Sequence, residues 1–234
     1  MAFGIFITGT DTGVGKTVVA AALLRALVAR RLRAVGMKPV SAGVERSGRN
    51  ADVVALEAAG NVSAAASLVN PYSFDAAIAP HVAAAREGRC IRLDTIAAAY
   101  ATLAQHADAV VVEGAGGALV PLDDAHTVLD IAVACALPVV LVVGVRLGCL
   151  NHALLSAEAI RARGLALAGW VATRIDPAMP SAQASVDALA ARLHAPLLGD
   201  FADVESTRFA PHVLTSIGAP CSAAAPRVIA PRSA

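Results

Sequence analysis

A chain of 234 residues, 57% hydrophobic and only 16% charged, is long enough to bury one large core. Its formal net charge of +1 argues against a dedicated nucleic-acid binder, which gathers a basic face. The longest apolar run, 131–145, is interrupted by Pro138 and falls short of the ~20 residues of a membrane span, so no membrane partner is expected.

Met1-Ala2-Phe3-Gly4 lacks the basic segment of a secretory signal, and Cys90, Cys135, Cys149 and Cys221 show no paired spacing. A reduced, cytoplasmic setting without a zinc site is the expectation. In chain order, short apolar runs alternate with alanine-rich amphipathic stretches. Residues 3–8 read as a buried strand, 16–30 as a helix without interior Gly or Pro, and 34–37 as a second strand. A helix over 93–105 precedes a strand over 109–112. The run broken by Pro138 reads as a helix end, a turn and a strand over 139–143. A helix over 151–163, a strand over 167–171, a helix over 182–193 and a short strand over 196–198 follow. Continuous Val/Ile/Leu runs mark strands buried on both faces, and their alternation with helices predicts a P-loop NTPase-like α/β fold. That is a mostly parallel sheet with helices on both faces. One domain is expected over 1–218. The Ala/Pro/Ser/Arg-rich stretch 219–234 reads as a loosely ordered tail.

Gly9-Thr10-Asp11-Thr12-Gly13-Val14-Gly15-Lys16-Thr17 lies between the first strand and the first helix, where a phosphate-binding loop belongs. Glycines let the backbone curl so that its N–H groups face an anion, and the helix N-terminus adds a favourable dipole. Gly13, Val14, Gly15, Lys16, Thr17 and Val18 are therefore expected to hold a nucleoside triphosphate. Lys16 would reach the β- and γ-phosphates, and Thr17 would take a Mg²⁺ position. Strict spacing would place a glycine at Thr10; here Gly9 comes one residue earlier. Of 19 Lys and Arg residues only Lys16 and Lys38 are lysine. A chain so tolerant of arginine keeps lysine where a compact, rotatable ammonium is needed, which marks Lys38 as a second site residue.

Val110-Val111-Val112-Glu113 is an apolar strand closed by a carboxylate, the Walker-B arrangement, with Glu113 as metal ligand. The turn Gly114-Ala115-Gly116-Gly117 follows, able to approach a ligand closely. Asp52 reads either as a second metal carboxylate or as a helix cap.

Thr8-Gly9-Thr10-Asp11-Thr12, Lys38-Pro39-Val40, Asn70-Pro71-Tyr72 and Val112-Glu113-Gly114-Ala115-Gly116-Gly117 occur in that order. Gly144-Val145-Arg146-Leu147-Gly148-Cys149-Leu150-Asn151-His152 and Pro196-Leu197-Leu198-Gly199 complete the series. Together the set resembles the dethiobiotin synthetase family over residues 3–199. The resemblance implies a homodimer that converts 7,8-diaminononanoate, CO₂ (or bicarbonate) and ATP into dethiobiotin, ADP and phosphate. It implies Lys38, Lys16 and Thr12 as catalytic residues and Thr17, Asp52 and Glu113 as Mg²⁺ ligands. Gly114, Ala115, Gly116, Thr173 and Arg174 would join the ATP site. Ser41, Gly117, Leu147, Gly148, Cys149, Leu150 and Asn151 would bind the diamine, the last five at its carboxylate end and across the dimer interface. The chain departs from the family at Ser41-Ala42-Gly43, where the usual order is Ala-Ser-Gly. It also departs at Thr173, where an asparagine reads adenine, and at Phe201-Ala202, where Ile-Pro is usual. The rival reading is a regulatory, partition-type P-loop ATPase. Such proteins usually carry a lysine early in the phosphate loop, where this chain has Asp11.

Overall fold

In the computed structural model the described residues are 2–44, 48–202, 209 and 211–220. The elements in order are β1 (Phe3–Gly9), α1 (Lys16–Ala29), β2 (Ala34–Met37), β3 (Val40–Ala42), α2 (Ala51–Ala59), α3 (Ala66–Val69) and β4 (Tyr72–Phe74). Then come α4 (Pro80–Arg86), α5 (Leu93–His106), β5 (Ala109–Gly117), α6 (Val128–Ala134), β6 (Val139–Gly144), α7 (Cys149–Ala162), β7 (Leu167–Thr173), α8 (Ala182–Arg192), β8 (Leu197–Phe201) and α9 (Pro211–Ser216). Six strands form one sheet in the order β2-β5-β1-β6-β7-β8, and every neighbouring pair is parallel. β1 lies between β5 and β6, and the phosphate loop leaves its carboxyl end, the edge at which ligands meet open parallel sheets.

Two cores flank this sheet, and strand alternation sorts residues between them. Phe6, Val110, Val112, Leu141, Val143, Trp170 and Ala172 face one side with residues of α4 to α8. Ile5, Ile7, Val111, Val140, Val142 and Val171 face the other with α1, α2 and the segment 213–219. Helices thus cover both faces, as continuous apolar strands require. The many alanines let helices lie close to the sheet: Ala20, Ala21 and Ala22 of α1 are all buried beside Leu23, Leu24 and Leu27.

The run 131–145 divides as expected. α6 ends at Ala134, Ala136 turns with φ 52, and β6 begins after Pro138. Other boundaries differ. β5 does not stop at Val112 but runs through the glycines to Gly117, because Gly9 of β1 pairs with Gly117 beyond a register shift. β8 extends to Phe201, which is buried against Phe209. A second, two-stranded parallel sheet of β3 and β4 was not anticipated, nor were α2, α3, α4 and α9; all are too short to show a period. Ala219, within the stretch expected to be a tail, is buried and its N–H donates to Leu214 O at 2.8 Å. The rest of that stretch, 221–234, lies outside the described residues.

Candidate functional site

The phosphate loop starts where β1 ends, and its two bends are glycine-dependent. Gly13 and Gly15 have φ of 73° and 87°, conformations that side chains strain to adopt. Gly15 is the residue before α1, so the first amides of α1 point out of the helix without a side-chain cap. Val14 packs inward against Gly9 and Gly144, where an added Cβ would collide with it at 2.7 and 2.8 Å. Thr173, at the end of β7, donates its hydroxyl to Val14 O at 2.7 Å, with Val143 O at 3.2 Å. Its proton therefore braces the loop from below instead of facing a base. Arg174 is held by Asp200 at 2.6 and 2.9 Å and by Gln183 at 2.6 Å.

Lys16 is buried, and its Nζ donates to Asp11 O at 2.7 Å across the loop. Burial, then the nearby Lys38 charge, lower its pKa to about 8. Lys38 follows β2 directly and is 4% exposed. Its ammonium donates to Glu113 Oε1 at 2.6 Å, Asp52 Oδ2 at 2.7 Å and Gly114 O at 3.3 Å. Burial opposes that charge, but Glu113 and Asp52 outweigh it and raise the pKa of Lys38. Asp52 is not the cap of α2. Asn50 accepts from Asp52 N at 3.1 Å, which frees the Asp52 carboxylate to reach Thr17 and Lys38. Burial opposes its charge, and Lys38 overcomes this to hold it below the usual carboxylate range.

The Thr17 hydroxyl lies 2.7 Å from Asp52 Oδ1 and 2.8 Å from Glu113 Oε1, with one proton to share between two carboxylates. Glu113 is fully buried, its Oε2 has no partner among the described residues, and burial raises its pKa. A buried carboxylate with a spare oxygen keeps its charge only beside cations. Thr17, Asp52 and Glu113 are all hard oxygen donors, so the set fits Mg²⁺, which takes one or two carboxylates and completes its shell with water and phosphate. Among the described residues there is no cluster of three or more His, Cys, Asp or Glu that would make an all-protein metal cage.

Beside Lys38 opens a cleft of about 460 Å³ lined by Thr12, Ser41 and Asp52 and by apolar Ile78, Pro80 and Val120. Ser41 is in β3, and its hydroxyl donates to Asn70 Oδ1 at 3.0 Å. Asn70 in turn donates to Lys38 O at 2.6 Å and Tyr72 O at 3.2 Å, so it fixes the backbone of the lysine. The structure thus brings together Thr12, Lys16, Thr17, Lys38, Ser41, Asp52, Glu113 and the edge of Gly114, Ala115 and Gly116. Gly117 lies instead in a neighbouring cleft of about 450 Å³ with Thr10, Asp11, Leu119, His152 and Leu155. Leu147, Gly148, Cys149, Leu150 and Asn151 do not line the Lys38 cleft. They form the entry to α7: Gly148 has φ 94, Cys149 is buried, and Leu147 is 91% exposed. With the Cys149 sulfur inside, that loop can offer a ligand only its amides and its other side chains. Val18 is half-buried in the first turn of α1. Sequence reasoning assigned no role to Asn50 and Asn70. Their signal, an asparagine before an acidic helix start and one before a proline, becomes specific only when the bonded carbonyls are known.

A family model described as "AAA domain" matches residues 4–208. The chain belongs to that family. This AAA domain also shares its fold with solved structures. The septum site-determining protein MinD from Pyrococcus horikoshii OT3, complexed with Mg-ADP, superposes with a TM-score of 0.55 at 16% identity, over 94% of this chain and 88% of MinD. The signal recognition particle receptor FtsY from Elizabethkingia anophelis, in complex with GDP, gives 0.51 at 16% identity. It covers 93% of this chain but 63% of FtsY. At such identity the likeness is one of fold, and the AAA domain is a P-loop NTPase-type α/β domain. No helix among its described residues is long and apolar enough to cross a membrane.

Proposed function

We propose that this AAA domain is an ATP-dependent cyclo-ligase of the dethiobiotin synthetase type, using Mg²⁺ and acting as a homodimer. The observation that carries the reading is the placement of Lys38. A buried ammonium, charged by Glu113 and Asp52, stands between the phosphate loop and a cleft that is apolar on one side and polar on the other. A partition-type ATPase needs no such organic subsite. The cleft suits an aliphatic diamine, with Ile78, Pro80 and Val120 against its carbon chain and Ser41 and Thr12 near its nitrogens.

In the reaction one amine adds to CO₂ and loses a proton, giving a carbamate. A carbamate oxygen then attacks the γ-phosphorus and ADP leaves. The second amine attacks the carbamoyl carbon, closes the ureido ring and expels phosphate. Lys16 and Lys38 would stand on either side of the transferring group, where negative charge spreads in the transition state. This is positioning with electrostatic stabilisation, the main catalytic term in phosphoryl transfer. The Thr12 hydroxyl has no partner among the described residues and would donate to the same oxygens. Mg²⁺ held by Thr17, Asp52 and Glu113 would neutralise the triphosphate. Leu147, Leu150 and Leu155, exposed at and beside the start of α7, together with Leu119, would meet a second copy. The amides of 147–151 would then serve the partner's substrate carboxylate.

The test is phosphate release from ATP and Mg²⁺ with and without 7,8-diaminononanoate and bicarbonate. Release that requires both, with dethiobiotin detected by mass, is expected. Release independent of the diamine would instead favour a regulatory ATPase.

A further inference from the structure

Asp11 is the only acidic residue in the loop 9–17, and it stands where a triphosphate must be welcomed. All three of its acceptor oxygens are engaged. Its carbonyl receives Lys16 Nζ at 2.7 Å, Oδ1 receives Thr12 N at 2.7 Å, and Oδ2 receives an Arg146 guanidinium N–H at 2.5 Å. Asp11 therefore touches Lys16 and Thr12, two of the three residues that would face the transferring phosphoryl group. Arg146 reaches it from the other side of the loop, over a sequence separation of 135 residues. Its backbone is held in place: Val145 N donates to Thr173 O at 2.8 Å, and Cys149 N donates to Arg146 O at 3.0 Å. The guanidinium is thus presented by the fixed turn between β6 and α7.

Both side chains are half-exposed, so the pair adds little to fold stability. Its consequence is local electrostatics. A bare carboxylate in a phosphate loop would repel the incoming polyanion and would be free to swing away from the Thr12 amide that it now receives. We propose that Arg146 is a positioning residue for nucleotide binding: it neutralises Asp11, beside Lys16, and fixes the rotamer whose Oδ1 holds the Thr12 amide. The inference rests on the nucleotide half of the function proposed above. It goes beyond that reading by giving Arg146 and Asp11 a joint role, and it ties the phosphate loop to the turn that opens α7.

A charge-cancelling cycle tests it. Binding of a non-hydrolysable ATP analogue with Mg²⁺ is measured by calorimetry on the full chain, for wild type, Arg146→Ala, Asp11→Asn, the double variant and Arg146→Lys, at low and high salt. Arg146→Ala should weaken binding roughly tenfold at low salt and less at high salt, because an unpaired like charge is costly and screened. Asp11→Asn in the Arg146→Ala background should recover most of the loss, and Arg146→Lys should retain much of the affinity. A purely structural role for Arg146 would not be rescued by removing the Asp11 charge. Unchanged binding in Arg146→Ala, or a loss that Asp11→Asn fails to repair, would overturn the pair. If the wild-type chain itself bound no nucleotide, the nucleotide reading would fall first, a result distinct from either.

Discussion

Lys38 shows how one side chain acquires chemistry from its surroundings. An ammonium at 4% exposure survives only because two carboxylates lie within 2.7 Å of it, and the same carboxylates are the proposed metal donors. Lys38→Ala should leave nucleotide binding largely intact and cut turnover at least about a hundredfold, about 2.7 kcal/mol of transition-state stabilisation. Steady-state phosphate release beside equilibrium nucleotide titration separates the two effects. Arginine should rescue poorly, because its planar fork cannot occupy the position of a compact charge. Lys16 carries a pH signature. Burial, then Lys38, bring its pKa down to about 8 from 10.5, so the free protein loses this cation as pH rises through about 8. A bound triphosphate favours the protonated form. Nucleotide affinity should therefore fall as pH rises above about 8, and binding there should take up a proton; calorimetry in buffers of different ionisation enthalpy reads both. An affinity that is level from pH 7 to 9.5 would contradict this.

At the scale of elements, the site depends on how short segments are held. α2 is nine residues long and presents Asp52 from its first turn. Asn50 caps it, and its Nδ2 donates to Gly43 O at 2.8 Å, tying the helix to the end of β3. Asn50→Ala should lower stability by about 1 kcal/mol, the usual value of an N-cap, as read from denaturant midpoints. It should also weaken Mg²⁺-dependent nucleotide binding, because Asp52 would lose its fixed approach to Thr17. Here the sequence was only half legible. Strands of continuous Val and Ile, and helix α1 with no Gly or Pro, stand out by pattern. β3, β4 and α2 do not, since three to nine residues give no period. The extension of β5 through Gly114–Gly117 was hidden for another reason: glycine has no strand preference, and its pairing with Gly9 is a property of the neighbouring strand.

The whole molecule adds the question of a second copy. Leu147 at 91% exposure, with Leu119, Leu150 and Leu155, is a costly group of apolar side chains to leave in water. If two copies meet there, Leu147→Asp should shift the chain toward monomer in sedimentation velocity. It should lower turnover more than nucleotide binding, since only the diamine subsite is expected to cross the interface. An unaltered dimer would remove this surface from the proposal.

The sequence by itself determined the α/β class and the phosphate loop, and it marked Lys16, Lys38, Thr17 and Glu113 as candidate site residues. These rest on local pattern, on residue chemistry and on a choice of lysine in an arginine-rich chain. Only the tertiary structure decided that Asp52 is freed from capping by Asn50 and that Thr173 braces the loop with its one proton. It alone placed Asn70 behind Lys38 and Arg146 against Asp11. Those contacts join residues up to 159 positions apart, and their existence depends on strand order and on which face each helix covers. Composition and local periodicity carry no information about either.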